Sequence, residues 1–145
     1  FTRKHPYMSK FSVIERLNAH RPQFIEMLGG KIVAVDRQEN SCSFEFRIST
    51  DFCHSVDVVQ GGFITAMLDA AMSHAVFASG DDISGLSSLD INTTYLEPTR
   101  AGCLKAVGKI IKCSYKTAFL EGRLYNSDGL LTATASSVAK VVRNH

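Results

Sequence analysis

The sequence predicts an α+β fold in which an antiparallel sheet wraps around one long central helix, with one or two further helices near the amino terminus. Residues 61–79 form a long apolar segment, and their length and Ala- and Met-rich composition are typical of a buried helix. Strand-like segments joined by short turns lie on both sides of it. Because such strands pair antiparallel, and because a lone apolar helix must hide its surface, we expect the sheet to enclose the helix.

The composition is that of an ordinary globular protein. Of 145 residues, 45% are hydrophobic and 21% are charged, which is sufficient for one core. We expect a single domain over residues 1–145, with a helical extension at residues 1–30 and the core at residues 31–142. The 16 Lys and Arg residues are interspersed with 14 Asp and Glu residues, giving a net charge of +2 without a basic run. Nucleic-acid binding is therefore not expected.

The amino-terminal segment predicts one or two amphipathic helices that cover part of the sheet. Apolar residues recur at helical spacing between residues 9 and 28, with Pro22 as a break and Gly29 and Gly30 as a stop. Residues 1–6 contain no apolar stretch of the kind found in secretory signals, and we expect no function there. The four cysteines show no Cys-x-x-Cys spacing, which favours free thiols and a cytoplasmic location.

Six segments are predicted as strands, and with the central helix they follow the order β-β-α-β-β-β-β. The second segment alternates clearly, with Phe44 and Phe46 separated by a polar residue. A hairpin through residues 38–40 is expected to join the first two strands, and residues 51–59 are expected to form a loop. The predicted strands are residues 31–36, 41–49, 87–95, 102–113, 117–125 and 130–142.

The central helix is predicted to contain about 18 residues, roughly 27 Å in length, with Gly80 as its C-cap. Asp69 lies at its middle, and a charge there argues against a membrane span. Thr65 and Ser73, four residues to either side, complete a narrow polar stripe. Because no cationic residue lies three or four positions away, the carboxylate must be satisfied elsewhere. It is a candidate catalytic group; the alternative is that it caps a loop or pairs with an arginine.

The start of the helix is a second candidate. At Gly61 and Gly62 the backbone N–H groups are unpaired and the helix dipole is positive, so this end can polarise a carbonyl group, although a glycine pair is also common in plain turns. Gly61 and Asp69 are separated by about 12 Å along the axis. One helix cannot offer both groups to one carbonyl, whereas two antiparallel helices across a two-fold axis can. We therefore expect an obligate homodimer with composite active sites.

The run Val58-Val-Gln-Gly-Gly-Phe-Ile-Thr-Ala-Met-Leu-Asp-Ala-Ala71 resembles the signature of the phenylacetate-degradation-type (PaaI-like) hotdog thioesterases. The resemblance continues at Leu89-Asp-Ile-Asn-Thr-Thr-Tyr-Leu-Glu-Pro98 and at Lys116-Thr-Ala-Phe119, and it covers about residues 40–142. It implies a hotdog fold, hydrolysis of an acyl-CoA thioester, and a homodimer that assembles into a dimer of dimers.

The resemblance also implies roles for five residues. Asp69 stands where the family has its nucleophile or general base, and Gly61 where a backbone N–H binds the thioester oxygen across the dimer. Ser88 stands where relatives have a hydroxyl that positions the water or the carboxylate. His54 stands where many relatives have an asparagine, and Gln60 replaces a histidine that often precedes the glycine pair; its amide retains a hydrogen-bond donor.

Further residues are expected to contribute to substrate binding. Lys116 and Arg100 lie in turns and can meet the phosphates of coenzyme A, and Gly62 is expected to contact the substrate beside Gly61. No cofactor or metal is expected, because no second histidine accompanies His74 at metal-binding spacing. His74 is interpreted as a satisfied core or interface histidine. Apolar helix residues are candidates either for the acyl pocket or for the core, namely Phe63, Met67 and Met72.

Two other functions remain open on the sequence. A hotdog acyl-thioester dehydratase or hydratase would use His54 together with Asp69, although a His-Phe-Pro-like pattern is absent. A non-catalytic acyl-CoA-binding module would use the same pocket without turnover.

Overall fold

The computed structural model describes residues 10–144, so the start of the predicted helical extension, including Ser9, lies outside the described residues. Two separate helices follow, α1 (Lys10–Ala19) and α2 (Gln23–Met27). Pro22 immediately precedes α2, which confirms the predicted break, because proline is tolerated at a helix start but not in its interior. Gly29 has a φ of 71°, a left-handed conformation that ends the helical segment before the first strand.

Six strands form one antiparallel sheet in the order β1-β2-β6-β7-β8-β5, and a separate pair, β3 and β4, lies before the central helix. The strands are β1 (Gly30–Asp36), β2 (Ser41–Ile48), β3 (Cys53–Ser55), β4 (Val58–Val59), β5 (Ile83–Tyr95), β6 (Gly102–Cys113), β7 (Thr117–Tyr125) and β8 (Leu131–Arg143).

The predicted order of the main strands is confirmed, with two corrections. The β3–β4 pair and a short 3-10 turn at Thr50–Phe52 occupy the segment that was expected to be a loop. Strand β5 begins at Ile83, earlier than predicted, because Ile83 pairs with Arg143 at the end of β8. Pairing with a long neighbour, rather than local alternation, sets this boundary.

The central helix α3 spans Gly61–Phe77 and lies against the inner face of the sheet, with its main contacts to β6. Gly108 on β6 allows this close packing: a Cβ there would lie 2.2 Å from the backbone carbonyl carbon and oxygen of Ala71. The enclosed core contains the largest fully buried side chains of both layers, among them Phe44, Phe46, Met67, Leu68, Met72, Leu104 and Leu124.

The prediction that Gly80 caps α3 is wrong. The C-cap is Ala78, which remains in the right-handed helical conformation and donates its N–H to the carbonyl of His74. Ser79 satisfies the carbonyl of Val76 with both its N–H and its hydroxyl, the latter at 2.6 Å. The carbonyls of His74 and Val76 are thus satisfied at the helix end without a left-handed glycine.

Strand β5 lies at one edge of the sheet, opposite the β1 edge. Within the described chain, β8 is its only strand neighbour, so its other edge is unpaired. Leu89 at its centre is 64% exposed.

No helix in the described part of the chain has both the length and the apolar character needed to cross a membrane.

Candidate active site

The carboxylate of Asp69 is held by two hydroxyl groups. It lies on the face of α3 that meets β5, half-buried, and Ser88 on β5 donates its hydroxyl to Oδ1 at 3.0 Å. Ser73, one helical turn further on, lies 3.5 Å from the same oxygen. Among the side chains that the structure describes, no cation forms an ion pair with Asp69. The arginine pairing that the sequence left open is therefore not found, and serines satisfy the carboxylate instead.

The start of α3 opens into a cavity of about 560 Å³. The predicted residues His54, Gln60, Gly61 and Gly62 all line it. The backbone N–H of Gln60 bonds to the carbonyl of Phe52 at 2.9 Å, which ties the helix start to the 3-10 turn. The remaining lining residues come from β4, α3 and the end of β5 with the segment that follows it, namely Val58, Val59, Ile64, Tyr95, Leu96, Glu97, Pro98 and Thr99.

Gln60 is the N-cap of α3, a role that the sequence did not predict. Its side-chain oxygen accepts the N–H of Gly62 at 2.8 Å. The oxygen must face this donor, so the amide NH₂ group is left as a donor without an acceptor among residues 10–144. The same bond occupies the N–H of Gly62, whereas the N–H of Gly61 has no acceptor among the described residues. Of the glycine pair, Gly61 is therefore the available donor.

His54 lies at the cavity wall as an exposed side chain, and its Nδ1 is 3.1 Å from the hydroxyl of Ser55. Asp69 and Ser88 do not line this cavity. The structure thus places the predicted residues in two groups within one chain, in agreement with the separation of about 12 Å between Gly61 and Asp69. His54 and Asp69, the pair required for a dehydratase, do not share a cavity.

The two predicted phosphate-binding residues lie at opposite ends of the sheet. Arg100 is near the start of α3, and its guanidinium forms an ion pair with Asp57 at 2.7 Å. Lys116 lies in the β6–β7 turn, next to Lys140 and Arg143 in a separate cavity of about 340 Å³. Strand β5 starts at this end of the sheet, since its first residue, Ile83, pairs with Arg143. Because β5 follows α3 in the chain, α3 finishes at the same end.

A set of hydroxyl groups joins the start of α3 to the end of β5, and the sequence analysis missed it. Tyr95 donates its hydroxyl to the carbonyl of Gly61 at 2.9 Å and lies 3.2 Å from the hydroxyl of Thr65. Thr65 also bonds to Thr93 at 2.8 Å. The alternation of Thr93 and Tyr95 on one face of β5, opposite the polar stripe of α3, is the sequence signal that could have revealed it.

His74 is a core residue, as predicted. Its Nδ1 bonds to the carbonyl of Ala70 at 2.8 Å, and its ring meets Phe44 edge-on. Burial lowers the pKa of His74, an effect opposed by the bond to Ala70 and by the charge of Asp69. Met67 and Met72 are fully buried core residues, whereas Phe63 is partly exposed and packs edge-on against Phe52.

The antiparallel sheet wrapped around one long helix is a hotdog fold. The sequence model of the thioesterase superfamily matches residues 57–133, more than half of the 145-residue chain. The chain belongs to the thioesterase superfamily.

Similar proteins extend this comparison. A phenylacetic acid degradation-related protein of Ralstonia eutropha is 32% identical, with a TM-score of 0.81, over 92% of this chain and 100% of that one. The Escherichia coli PaaI protein of the phenylacetic acid degradation operon shares the fold at 16% identity, with a TM-score of 0.80, over 94% of this chain and 98% of that one. An uncharacterized protein of Schizosaccharomyces pombe is 33% identical over 58% of this chain; the match spans about half of that protein, 48%.

Proposed function

We propose that the protein hydrolyses acyl-CoA thioesters, with Asp69 as nucleophile or general base and the N–H of Gly61 as the oxyanion donor. The observation that carries the proposal is the hydrogen bond of 3.0 Å from Ser88 to Asp69, a carboxylate that has no ion-pair partner among the described residues, on the fold of this superfamily. A carboxylate that is held by hydroxyls and lacks a cation keeps its charge available for attack on a carbonyl or for removing a proton from water.

The reaction follows one of two routes. In the first, Asp69 attacks the thioester carbonyl, coenzyme A leaves as the thiol after protonation, and water then cleaves the mixed anhydride. In the second, Asp69 takes a proton from water, the resulting hydroxide attacks the carbonyl, and the carbon–sulfur bond breaks as coenzyme A leaves and takes the proton from Asp69 to become the thiol. In both, the N–H of Gly61 stabilises the negative charge that develops on the carbonyl oxygen. The free amide NH₂ of Gln60 and the ring of His54 line the same cavity and are proposed to help orient the thioester.

The active form is proposed to be a homodimer in which strand β5 pairs with its copy across a two-fold axis. Two features support this arrangement: the outer edge of β5 is unpaired within the described chain, and Leu89 at its centre is exposed. A long unpaired edge is normally covered in a native protein. Antiparallel pairing brings the start of one α3 towards the middle of the other, so that Gly61 of one chain meets Asp69 of the second.

The same arrangement suggests how coenzyme A is held. Lys116 lies where α3 finishes, and antiparallel pairing moves this end towards the Gly61 cavity of the second chain. Lys116 is therefore the preferred residue for a coenzyme A phosphate. Arg100 is less suited, because its guanidinium is already paired with Asp57.

Two finer features belong to the same proposal. The outer face of the sheet exposes Ile111 and Phe119, which supports further association into a dimer of dimers. The four cysteines are all free thiols, which supports a reducing, cytoplasmic compartment.

The proposal is tested by thiol release from acetyl-, hexanoyl-, palmitoyl- and phenylacetyl-CoA; the name of the Ralstonia relative motivates the last. Asp69→Asn is expected to reduce kcat by roughly a thousandfold or more, since it removes the attacking charge but preserves the shape. Asp128→Asn, an exposed aspartate in the β7–β8 turn, is the matched control and should behave as wild type.

Wild-type turnover by Asp69→Asn would refute the assignment. An intact thioester after long incubation with stoichiometric wild-type protein would instead indicate a binding module. Sedimentation at assay concentration tests the dimer, and an active monomer would contradict the composite site.

A further inference from the structure

Tyr95 and Gln60 hold the peptide group between Gly61 and Gly62 from opposite ends. The hydroxyl of Tyr95 donates to its carbonyl oxygen at 2.9 Å, and the side chain of Gln60 accepts its N–H at 2.8 Å. The adjoining peptide, between Gln60 and Gly61, is held at its carbonyl by the N–H of Phe63 at 3.0 Å. Both peptide groups that flank the α-carbon of Gly61 are therefore fixed.

Tyr95 lies so close to Gly61 that a side chain there would have to displace the phenol. A Cβ on Gly61 would lie 2.9 Å from the hydroxyl oxygen of Tyr95 and 3.0 Å from its ring carbon Cζ. Glycine has the greatest backbone freedom of any residue, so a glycine pair is a poor scaffold for a precisely directed N–H unless other groups restrain it. The phenol supplies such a restraint from strand β5 of the sheet.

We propose that Tyr95 is a positioning residue: it clamps the Gly61–Gly62 peptide together with Gln60 and so directs the N–H of Gly61 at the thioester oxygen. This inference rests on the proposed function. A donor that is oriented before the reaction stabilises developing charge without reorganisation, so the clamp acts on the chemical step rather than on affinity. Tyr95 lines the same cavity, but its hydroxyl proton is donated to Gly61, so the clamp is expected to act through Gly61 rather than by direct contact with the substrate.

The kinetic test replaces Tyr95 by phenylalanine, which removes only the hydroxyl. The substrate is the acyl-CoA that wild type hydrolyses fastest among the acetyl, hexanoyl, palmitoyl and phenylacetyl compounds. With it, Y95F should lower kcat by about tenfold and change KM by less than about threefold. Thr93→Val is the matched control, because it removes a hydroxyl from the same set without touching Gly61. It should keep kcat within about twofold of wild type. A raised KM with unchanged kcat in Y95F would overturn the proposal, since Tyr95 would then contact substrate directly.

A second measurement is independent of turnover. Selective ¹⁵N-glycine labelling gives a spectrum of ten backbone amides, in which Gly61 and Gly62 are assigned from triple-resonance spectra of uniformly labelled wild-type protein. Y95F should shift or broaden these two signals and leave the other glycines in place, whereas Thr93→Val should leave all ten unchanged. An unchanged spectrum of Y95F would overturn the clamp, even if kcat falls.

The two proposals fail in different ways. If Asp69→Asn remains active, the proposed function fails while the glycine spectrum still reports on the clamp. If Asp69→Asn is inactive but Y95F retains wild-type kcat and an unchanged spectrum, only the role of Tyr95 is refuted.

Discussion

Ser88 on strand β5 donates a hydrogen bond of 3.0 Å to the carboxylate of Asp69 on helix α3, so that the sheet and the helix it encloses meet at the proposed reacting group. Ser73 approaches the same oxygen from within the helix, at 3.5 Å. The two serines offer the same chemistry from different elements and at different distances. Their contributions to catalysis can therefore be separated.

Ser88→Ala is expected to lower kcat by about ten- to a hundredfold, because a hydrogen bond to a charged group contributes roughly 1.5–3 kcal/mol. Ser73→Ala should cost less than about threefold, since its longer contact is weaker. Steady-state thiol release checks both variants under one condition. Equal losses in the two would contradict the idea that β5, rather than the helix, orients Asp69.

Gly108→Ala is expected to destabilise the fold strongly. The new Cβ would lie 2.2 Å from the backbone of Ala71, and backbone cannot move aside without shifting α3 from the sheet. We expect a loss of about 3 kcal/mol in the free energy of unfolding. Gly122→Ala is the matched control: its Cβ would meet the flexible side chains of Leu68 and Met72 at 3.2 Å, and we expect a loss of about 1 kcal/mol.

Urea denaturation at one fixed protein concentration measures both glycine variants, since association would otherwise change the apparent stability. Similar losses in the free energy of unfolding for the two variants would show that the close approach of α3 to β6 at Gly108 is not the cause of the destabilisation.

His74 is expected to make the fold less stable at acidic pH. Burial lowers its pKa below the ordinary value of 6.5, so in acid the unfolded chain binds a proton that the folded chain does not. The free energy of unfolding should therefore fall as the pH decreases through 6.5 and below. His74→Gln should show a weaker fall over that range in denaturant titrations.

His20→Gln, which replaces an exposed histidine, is the control for the loss of one histidine outside the core. If His74→Gln and wild type lost stability equally on acidification, the buried imidazole would not be the cause.

Much of the fold followed from local patterns, because these strands and the helix are long and strongly periodic. Strands β6 and β7 have the predicted bounds, and the start of α3 at Gly61 was also predicted. The end of α3 was not predicted correctly, since Ser79, rather than Gly80, satisfies the carbonyl of Val76 in the last turn. The β3–β4 pair was missed because its strands are too short to show alternation.

By itself, the sequence determined which residues share the helix: the spacing of Gly61 and Asp69 follows from 1.5 Å per residue and places them about 12 Å apart in any environment. Only the tertiary structure decided what each residue meets. Ser88 reaches Asp69, and Tyr95 reaches Gly61, because β5 lies beside α3 at the sheet edge. Such contacts join residues far apart in the chain, and their geometry depends on sheet order and register, which no local pattern encodes.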